Sequence, residues 1–174
     1  MGRSLEVRPN FSTFMVKSLA VIFQNTQKGR MEQQPHWIVD TMFTQDAFSQ
    51  WLGIERIEEG PGQCVLQMRI RPEMTNGFGI AHGGISFALA DSALAFASNA
   101  HGRQSVSVET SISHLTPIRS GDVIVARTIE EHLSHKIGVY QVRIERLDGQ
   151  LVALFKGTVY RSGREWQTQE NKQV

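Results

Sequence analysis

A single charged side chain stands in the longest apolar segment of the chain. Residues 84–100 read GISFALADSALAFASNA, and Asp91 is the only charged residue among them. Burying a lone carboxylate is costly unless it is paired or hydrogen-bonded, yet no position three or four residues away is basic. Either Asp91 bonds a neighbouring backbone group or a distant arginine, or it faces a ligand cleft. We favour the cleft, where an aspartate can act as general base or as nucleophile.

The tripeptide His82-Gly83-Gly84 opens this segment. Glycine lets a ligand approach the backbone closely, and the first N–H groups of a helix have no internal partner and attract negative charge. Donors of this kind stabilise the oxyanion that forms at a carbonyl during acyl transfer. The sequence therefore indicates an oxyanion site, although ordinary turn chemistry also accounts for the glycines and for His82 as a turn residue.

The spacing of these groups predicts that two chains share a site. Gly83 and Asp91 are eight positions apart on one predicted helix, a separation of ~12 Å at ~1.5 Å per residue. A base and an oxyanion donor that act on one carbonyl must both lie within ~3–4 Å of it. One chain cannot easily supply both groups, whereas two antiparallel copies can.

The elements that must position these residues form an α+β domain. The segment 84–100 is apolar or small all round, which predicts a helix buried on every face. A short helix through residues 47–52 is predicted to be capped by Thr44 and ended by Gly53. Alternating patterns and turn residues predict strands at 54–58, 63–70, 105–115, 122–133, 138–147 and 151–160. Short turns between them favour an antiparallel sheet of about six strands that curls around the helix.

Composition narrows the possible partners and the compartment. The chain has 174 residues and a net charge of +1, which indicates neither nucleic acid nor an anionic membrane as a partner. Within residues 1–30 the longest apolar run, residues 19–23, is far shorter than the ~18 residues of a membrane helix. We assign residues 36–161 to one domain, 1–35 to an N-terminal extension of unknown role and 162–174 to a C-terminal tail.

The cysteine and the histidines point away from metal and thiol chemistry. One cysteine, Cys64, excludes a disulfide framework and favours a reducing, cytoplasmic location. It lies on the apolar face of a predicted strand, which favours a buried, inert thiol over a nucleophile. We expect no metal and no cofactor. Four further histidines lack metal-ligand spacing and are interpreted as surface or strand residues: they are His101, His114, His132 and His135.

A family resemblance rests on the motifs just described. Residues 76–84 (NGFGIAHGG) and 87–91 (FALAD) resemble the hotdog-fold acyl-CoA thioesterases of the PaaI type, and residues 115–117 (LTP) and 152–157 (VALFKG) fit the same group. The resemblance covers residues 45–161. It implies a long helix wrapped by an antiparallel sheet, subunits that pair their sheets, and dimers that form tetramers.

The resemblance also implies roles for individual residues. Asp91 would be the catalytic carboxylate, and an amide at Gly83 or Gly84 would polarise the thioester carbonyl. Asn76 would position water or the thioester, and Ser107 matches a position that helps to hold the water in some members. His82 is included in the site because it precedes the glycines.

The implied activity is hydrolysis of a small or aromatic acyl-CoA. Phe87 and Phe96 could favour a phenylacetyl-type group, although core packing explains both residues equally well. Cations for the nucleotide phosphates are expected at strand ends, and the candidates are Arg119, Lys136 and Lys156. Two alternatives stay open at this point: a non-catalytic acyl-CoA-binding hotdog protein, and a hotdog hydratase or dehydratase.

Overall fold

A computed structural model describes residues 37–167. These residues form three α-helices, one short 3-10 helix and six strands. The helices are α1 (Trp37–Gln45), α2 (Ala47–Leu52) and α3 (Gly83–Asn99), with the 3-10 turn at Pro72–Met74. The strands are β1 (Glu55–Gly60), β2 (Gln63–Arg69), β3 (Arg103–His114), β4 (Val123–Leu133), β5 (Ile137–Arg146) and β6 (Leu151–Glu165). The predicted N-terminal extension lies outside the described residues.

The six strands form one antiparallel sheet, as predicted. Its order is β1-β2-β4-β5-β6-β3, and every neighbouring pair is antiparallel. The chain crosses the sheet along α3 between β2 and β3, so β3 is added at the far edge beside β6. Because β3 returns antiparallel to α3, its final residues reach the start of that helix.

The core lies between the sheet and one face of α3. Helix residues Leu89, Ala93 and Leu94 are buried and belong to the same cluster as Tyr140 and Phe155 of the sheet. Removing a large apolar side chain from such a core costs about 2–5 kcal/mol, because a cavity adds to the lost transfer free energy. Packing against the sheet therefore fixes how far α3 is rotated, and with it the direction of Asp91.

Helix α3 is not buried on every face, and that prediction is wrong for the single chain. Ala88, Asp91, Ser92 and Ala95 are only partly buried, and their spacing puts them along one side of the helix. The sheet covers the opposite side, while α2 reaches this one through the hydroxyls of Ser49 and Ser92, whose Oγ atoms are 2.9 Å apart. We call the partly exposed side, formed by residues 88, 91, 92 and 95, the open stripe.

The short helix before β1 ends as predicted but begins differently. Thr44 lies in the last turn of α1, and the N-cap of α2 is Asp46, whose carboxylate accepts the Ser49 N–H at 2.9 Å. Gly53 ends α2 with a φ of 74°, a left-handed value that suits glycine. α1, whose buried residues are Ile38 and Val39, was not predicted from the sequence.

The last strand is longer than the sequence predicted. β6 continues to Glu165, and Trp166 Nε1 then donates to Asn99 Oδ1 at 2.8 Å. Residues 162–165 thus belong to the sheet rather than to a tail. Among residues 37–167, no helix combines the length and the apolarity needed to cross a membrane.

Candidate active site

The first turn of α3 presents one free backbone donor. His82 is the N-cap residue, and its Nδ1 accepts the Gly84 N–H at 3.0 Å. The Gly83 N–H, at the first helical position, has no hydrogen-bond partner among the described residues. Of the two amides that the resemblance implied, Gly84 is therefore occupied within the chain and Gly83 is available to a ligand.

A cavity of about 300 Å³ opens at this end of the helix. Two predicted site residues, Asn76 and Gly83, line it together. Asn76 Oδ1 accepts the Phe78 N–H at 2.9 Å, so the carboxamide is held from its oxygen side. Its NH₂ group has no partner among residues 37–167. The cavity thus combines a free backbone N–H with a side-chain donor, a set suited to a carbonyl oxygen that gains negative charge.

The same cavity contains a residue that sequence reasoning missed. His114, at the end of β3, lines it with Ser86, and its Nε2 lies 3.2 Å from the Gly83 carbonyl oxygen and 3.1 Å from Ser86 Oγ. His114 is 31 positions from Gly83. No local spacing pattern joins them, because only the antiparallel return of β3 brings the two together.

Asp91 does not line this cavity. It lies on the open stripe and is half-buried, and its carboxylate forms no hydrogen bond or ion pair with the described residues. The structure thus gives no support to a carboxylate tied to a backbone group or a distant arginine. Burial raises the pKa of the Asp91 carboxyl above its ordinary value, because desolvation disfavours the charged form. A carboxyl with this environment is suited to taking up a proton.

The remaining predicted contacts are placed on other surfaces. Ser107 is exposed on β3, next to a register shift in its pairing with β6. Phe87 is partly buried and packs edge-on against Phe155, with ring centroids 5.3 Å apart. Phe96 is 1 % exposed and belongs to the core, in line with the second of the two explanations left open for it.

The three predicted cations do not converge in one chain. Arg119 is exposed in the loop between β3 and β4, directly after the cavity-lining Ile118. Lys136 lies in the turn between β4 and β5, at the opposite end of the sheet. Lys156 is in the middle of β6, paired with Ser111, so its expected position at a strand end is wrong.

The prediction that Cys64 is buried is confirmed. Its side chain in β2 is fully buried, and burial raises the pKa of the thiol far above its ordinary value. A thiol that stays protonated is a poor nucleophile. Within α3 itself, residues 83–99, Asp91 is the only ionisable side chain.

Comparison with known proteins decides the family. The model of a family described as the thioesterase superfamily matches residues 78–153, from the glycine-rich loop into β6. A putative esterase of Archaeoglobus fulgidus is 33 % identical over 144 residues, which are 83 % of this chain and 92 % of that protein. The chain belongs to the thioesterase superfamily.

Two further likenesses place this thioesterase within the superfamily. The acyl-coenzyme A thioesterase PaaI of Escherichia coli is 36 % identical over 122 residues, 70 % of this chain and 87 % of that one. The solved structure of the PaaI protein from the E. coli phenylacetic acid degradation operon matches with a TM-score of 0.72 and 34 % identity, over 74 % of this chain and 94 % of that one. The thioesterase thus has the hotdog fold, and the PaaI-type resemblance of its glycine-rich loop is confirmed.

Proposed function

We propose that this thioesterase hydrolyses a small or aromatic acyl-CoA at a site shared by two copies of the chain. The observation that carries the proposal is the division of groups along α3. Gly83 lines the cavity, whereas Asp91 lies eight positions later on the open stripe, ~12 Å away at ~1.5 Å per residue. A second copy that lies antiparallel on the open stripe would bring its own Asp91 to the Gly83 of the first.

The free edge of the sheet supports such a pairing. β3 is an edge strand of 12 residues, and Val106 and Val108 on it are 61 % and 60 % exposed. Long edge strands with apolar side chains invite pairing with another chain. Pairing of β3 with its copy would join the two sheets and lay the helices side by side. We further propose that two such dimers form a tetramer and that the enzyme is cytoplasmic.

The reaction follows from the two groups. The Gly83 N–H and the Asn76 NH₂ receive the thioester carbonyl oxygen. Asp91 of the other copy removes a proton from water as the water oxygen attacks the carbonyl carbon. The oxyanion of the tetrahedral intermediate is stabilised at the Gly83 N–H. Its collapse breaks the C–S bond and releases the CoA thiolate and the free acid, and the thiolate then takes a proton.

A covalent route uses the same residues. Asp91 attacks the carbonyl carbon directly, the CoA thiolate leaves, and water then hydrolyses the acyl-aspartyl anhydride. In a single turnover in ¹⁸O water, the general-base route puts the label only into the released acid. The anhydride route can leave it in Asp91. Ser107, exposed on the edge strand that would meet the second copy, is proposed to hold the attacking water in either route.

The nucleotide end of the substrate requires cations. Arg119 is the candidate nearest the cavity, because it follows the lining residue Ile118. Lys136 is at the other end of its own sheet, so within one site it would serve from the second copy. Lys156, in the middle of β6, has the position least suited of the three to binding the nucleotide phosphates.

A hydratase or dehydratase would need a histidine and a carboxylate at the substrate. His101 does pair with Glu130, with Nε2 and Oε2 2.5 Å apart, but Glu130 also accepts the hydroxyl of the buried Tyr140 at 2.8 Å. None of these three residues lines the cavity at Gly83. The pair therefore belongs to the packing between β4, β5 and the end of α3.

The test is release of thiol from a panel of acyl-CoAs that spans short-chain, phenylacetyl, benzoyl and long-chain groups. We expect turnover with short or aromatic acyl groups and little with long chains. Binding of the same compounds without thiol release would identify an acyl-CoA-binding protein instead, and addition of water across an enoyl-CoA would identify a hydratase.

A further inference from the structure

Two histidine rings hold the first peptide unit of α3 from opposite ends. The Gly83–Gly84 peptide donates its N–H to His82 Nδ1 at 3.0 Å. Its carbonyl oxygen lies 3.2 Å from His114 Nε2. His82 precedes the helix directly, whereas His114 comes from the end of β3. The peptide that follows the free Gly83 N–H is thus fixed by the loop on one side and by the sheet on the other.

The direction of the His114 hydrogen bond follows from its partners. A carbonyl oxygen only accepts, so Nε2 carries the proton in its contact with Gly83. The Ser86 hydroxyl, 3.1 Å from the same carbonyl oxygen, donates to it and can share the Nε2 proton through its own oxygen. Ser86 is buried. The three groups therefore form one small network at the cavity wall.

A side chain at position 83 would be crowded by the imidazole of His114. A Cβ built on Gly83 would lie 3.0 Å from His114 Cε1 and 3.2 Å from Nε2, closer than ordinary van der Waals contact. Glycine is also the residue with the greatest backbone freedom. Because Gly83 is flexible, a contact from outside the helix is needed to hold its N–H in one direction. His114 makes such a contact.

We propose that His114 is a positioning residue that fixes the direction of the Gly83 N–H. This inference rests on the proposed function, because it concerns the donor that would receive the thioester oxygen. Without the Nε2 bond, the carbonyl side of the Gly83–Gly84 peptide keeps only the Ser86 hydroxyl as a side-chain partner, so the peptide rotates more freely about the flexible Gly83. The Gly83 N–H then spends less time aimed into the cavity, so kcat falls while the binding of CoA is little changed.

Two kinds of variant separate the hydrogen bond from the ring. His114→Phe keeps a planar ring but has no donor, and His114→Leu is a second donor-free variant. His114→Gln offers an N–H close to the position of Nε2. The matched control is His132→Phe, which replaces an exposed histidine of β4 whose side chain has no hydrogen bond among the described residues. Each variant is assayed for kcat and KM, and for exchange of the Gly84 amide hydrogen by NMR of ¹⁵N-glycine-labelled protein.

We expect both donor-free variants to lose ~10-fold in kcat, with KM within ~3-fold of the parent, since they weaken an oxyanion donor without removing it. Exchange of the Gly84 amide should become ~10-fold faster. His114→Gln should recover kcat to within ~3-fold and slow the exchange again, while His132→Phe changes neither.

Parental kcat in His114→Phe, a change in KM alone, or a His114→Gln variant as slow as His114→Phe would each overturn the proposal. The exchange measurement separates this failure from failure of the proposed function. If the parent chain hydrolyses no acyl-CoA, the proposed function is wrong. The exchange rate of the Gly84 amide hydrogen then tests the positioning role by itself. Unchanged Gly84 exchange in both donor-free variants refutes it.

Discussion

Asp91 and Gly83 occupy the same helix but face different surfaces of the chain. Gly83 lines the cavity with Asn76, while Asp91 lies on the open stripe with no partner among residues 37–167. A site that needs both groups is therefore incomplete in one chain.

The first prediction concerns the Gly83 amide. Gly83→Pro removes the N–H but suits the first position of a helix, and His82 before it is already extended, with ψ at 136°. We expect kcat to fall ~10²–10³-fold, the usual effect of losing one oxyanion donor. Gly83→Ala is the matched control, since it brings a Cβ equally close to His114 but keeps the N–H. Equal kcat in the two variants would show that crowding, not the donor, matters.

The second prediction concerns sharing of the site. Asp91→Ala chains and Gly83→Pro chains, each inactive alone, are mixed under conditions that exchange subunits. A heterodimer contains one site with both defects and one with neither, so we expect the mixture to recover up to about half the activity of the parent in its heterodimer fraction. Subunit exchange is verified by native mass spectrometry. Exchanged heterodimers with no activity would contradict a shared site.

The third prediction concerns stability and pH. Burial raises the pKa of Asp91 in the folded chain, so the folded state holds this proton to a higher pH than the unfolded state does. The free energy of unfolding then falls as pH rises from the ordinary aspartate pKa, ~3.9, through the raised folded value. The Asp91→Asn side chain does not ionise, so this variant does not lose stability over that pH range. We expect Asp91→Asn to have the higher Tm near pH 7 and the parent's Tm near pH 3; a lower Tm near pH 7 would indicate a structural carboxylate.

The fourth prediction concerns the contact that orients α3. A Cβ at Gly157 of β6 would collide with the side chain of Leu94, so the helix can approach the sheet only over a glycine. Gly157→Ala should lower the free energy of unfolding by about 1–3 kcal/mol, as overpacking does. Gly163→Ala, in the same strand with open space at its Cβ, is the control. Urea denaturation measures both, and equal stability would show that Leu94 repacks freely.

The sequence identified what is encoded locally. Asp91 could be found because a charge is conspicuous in an apolar segment, and the fold because strand patterns and turns recur. The N-cap of α2 was misplaced by two residues because Thr44 and Asp46 are both good caps, and only the end of α1 decides between them. His114 could not be found, since its contact with Gly83 depends on how β3 returns along α3.

The open stripe shows a second limit of prediction from sequence. Small and apolar residues all round α3 predict burial on every side, but the pattern does not say which chain supplies the cover. In the single chain the sheet covers one side only, and Ala88, Asp91 and Ser92 remain partly exposed. The local pattern is thus consistent with a helix that a second copy completes.

Asp91 is the residue on which the proposed reaction depends most directly. The decisive measurement is kcat for thioester hydrolysis by Asp91→Ala and Asp91→Asn, with oligomer size, Tm and acyl-CoA binding determined on the same preparations. We predict that kcat falls by ~10²-fold or more, the scale of a lost general base, while the assembly stays intact and acyl-CoA still binds. A folded Asp91→Ala enzyme that turns over at the parental rate would contradict the account.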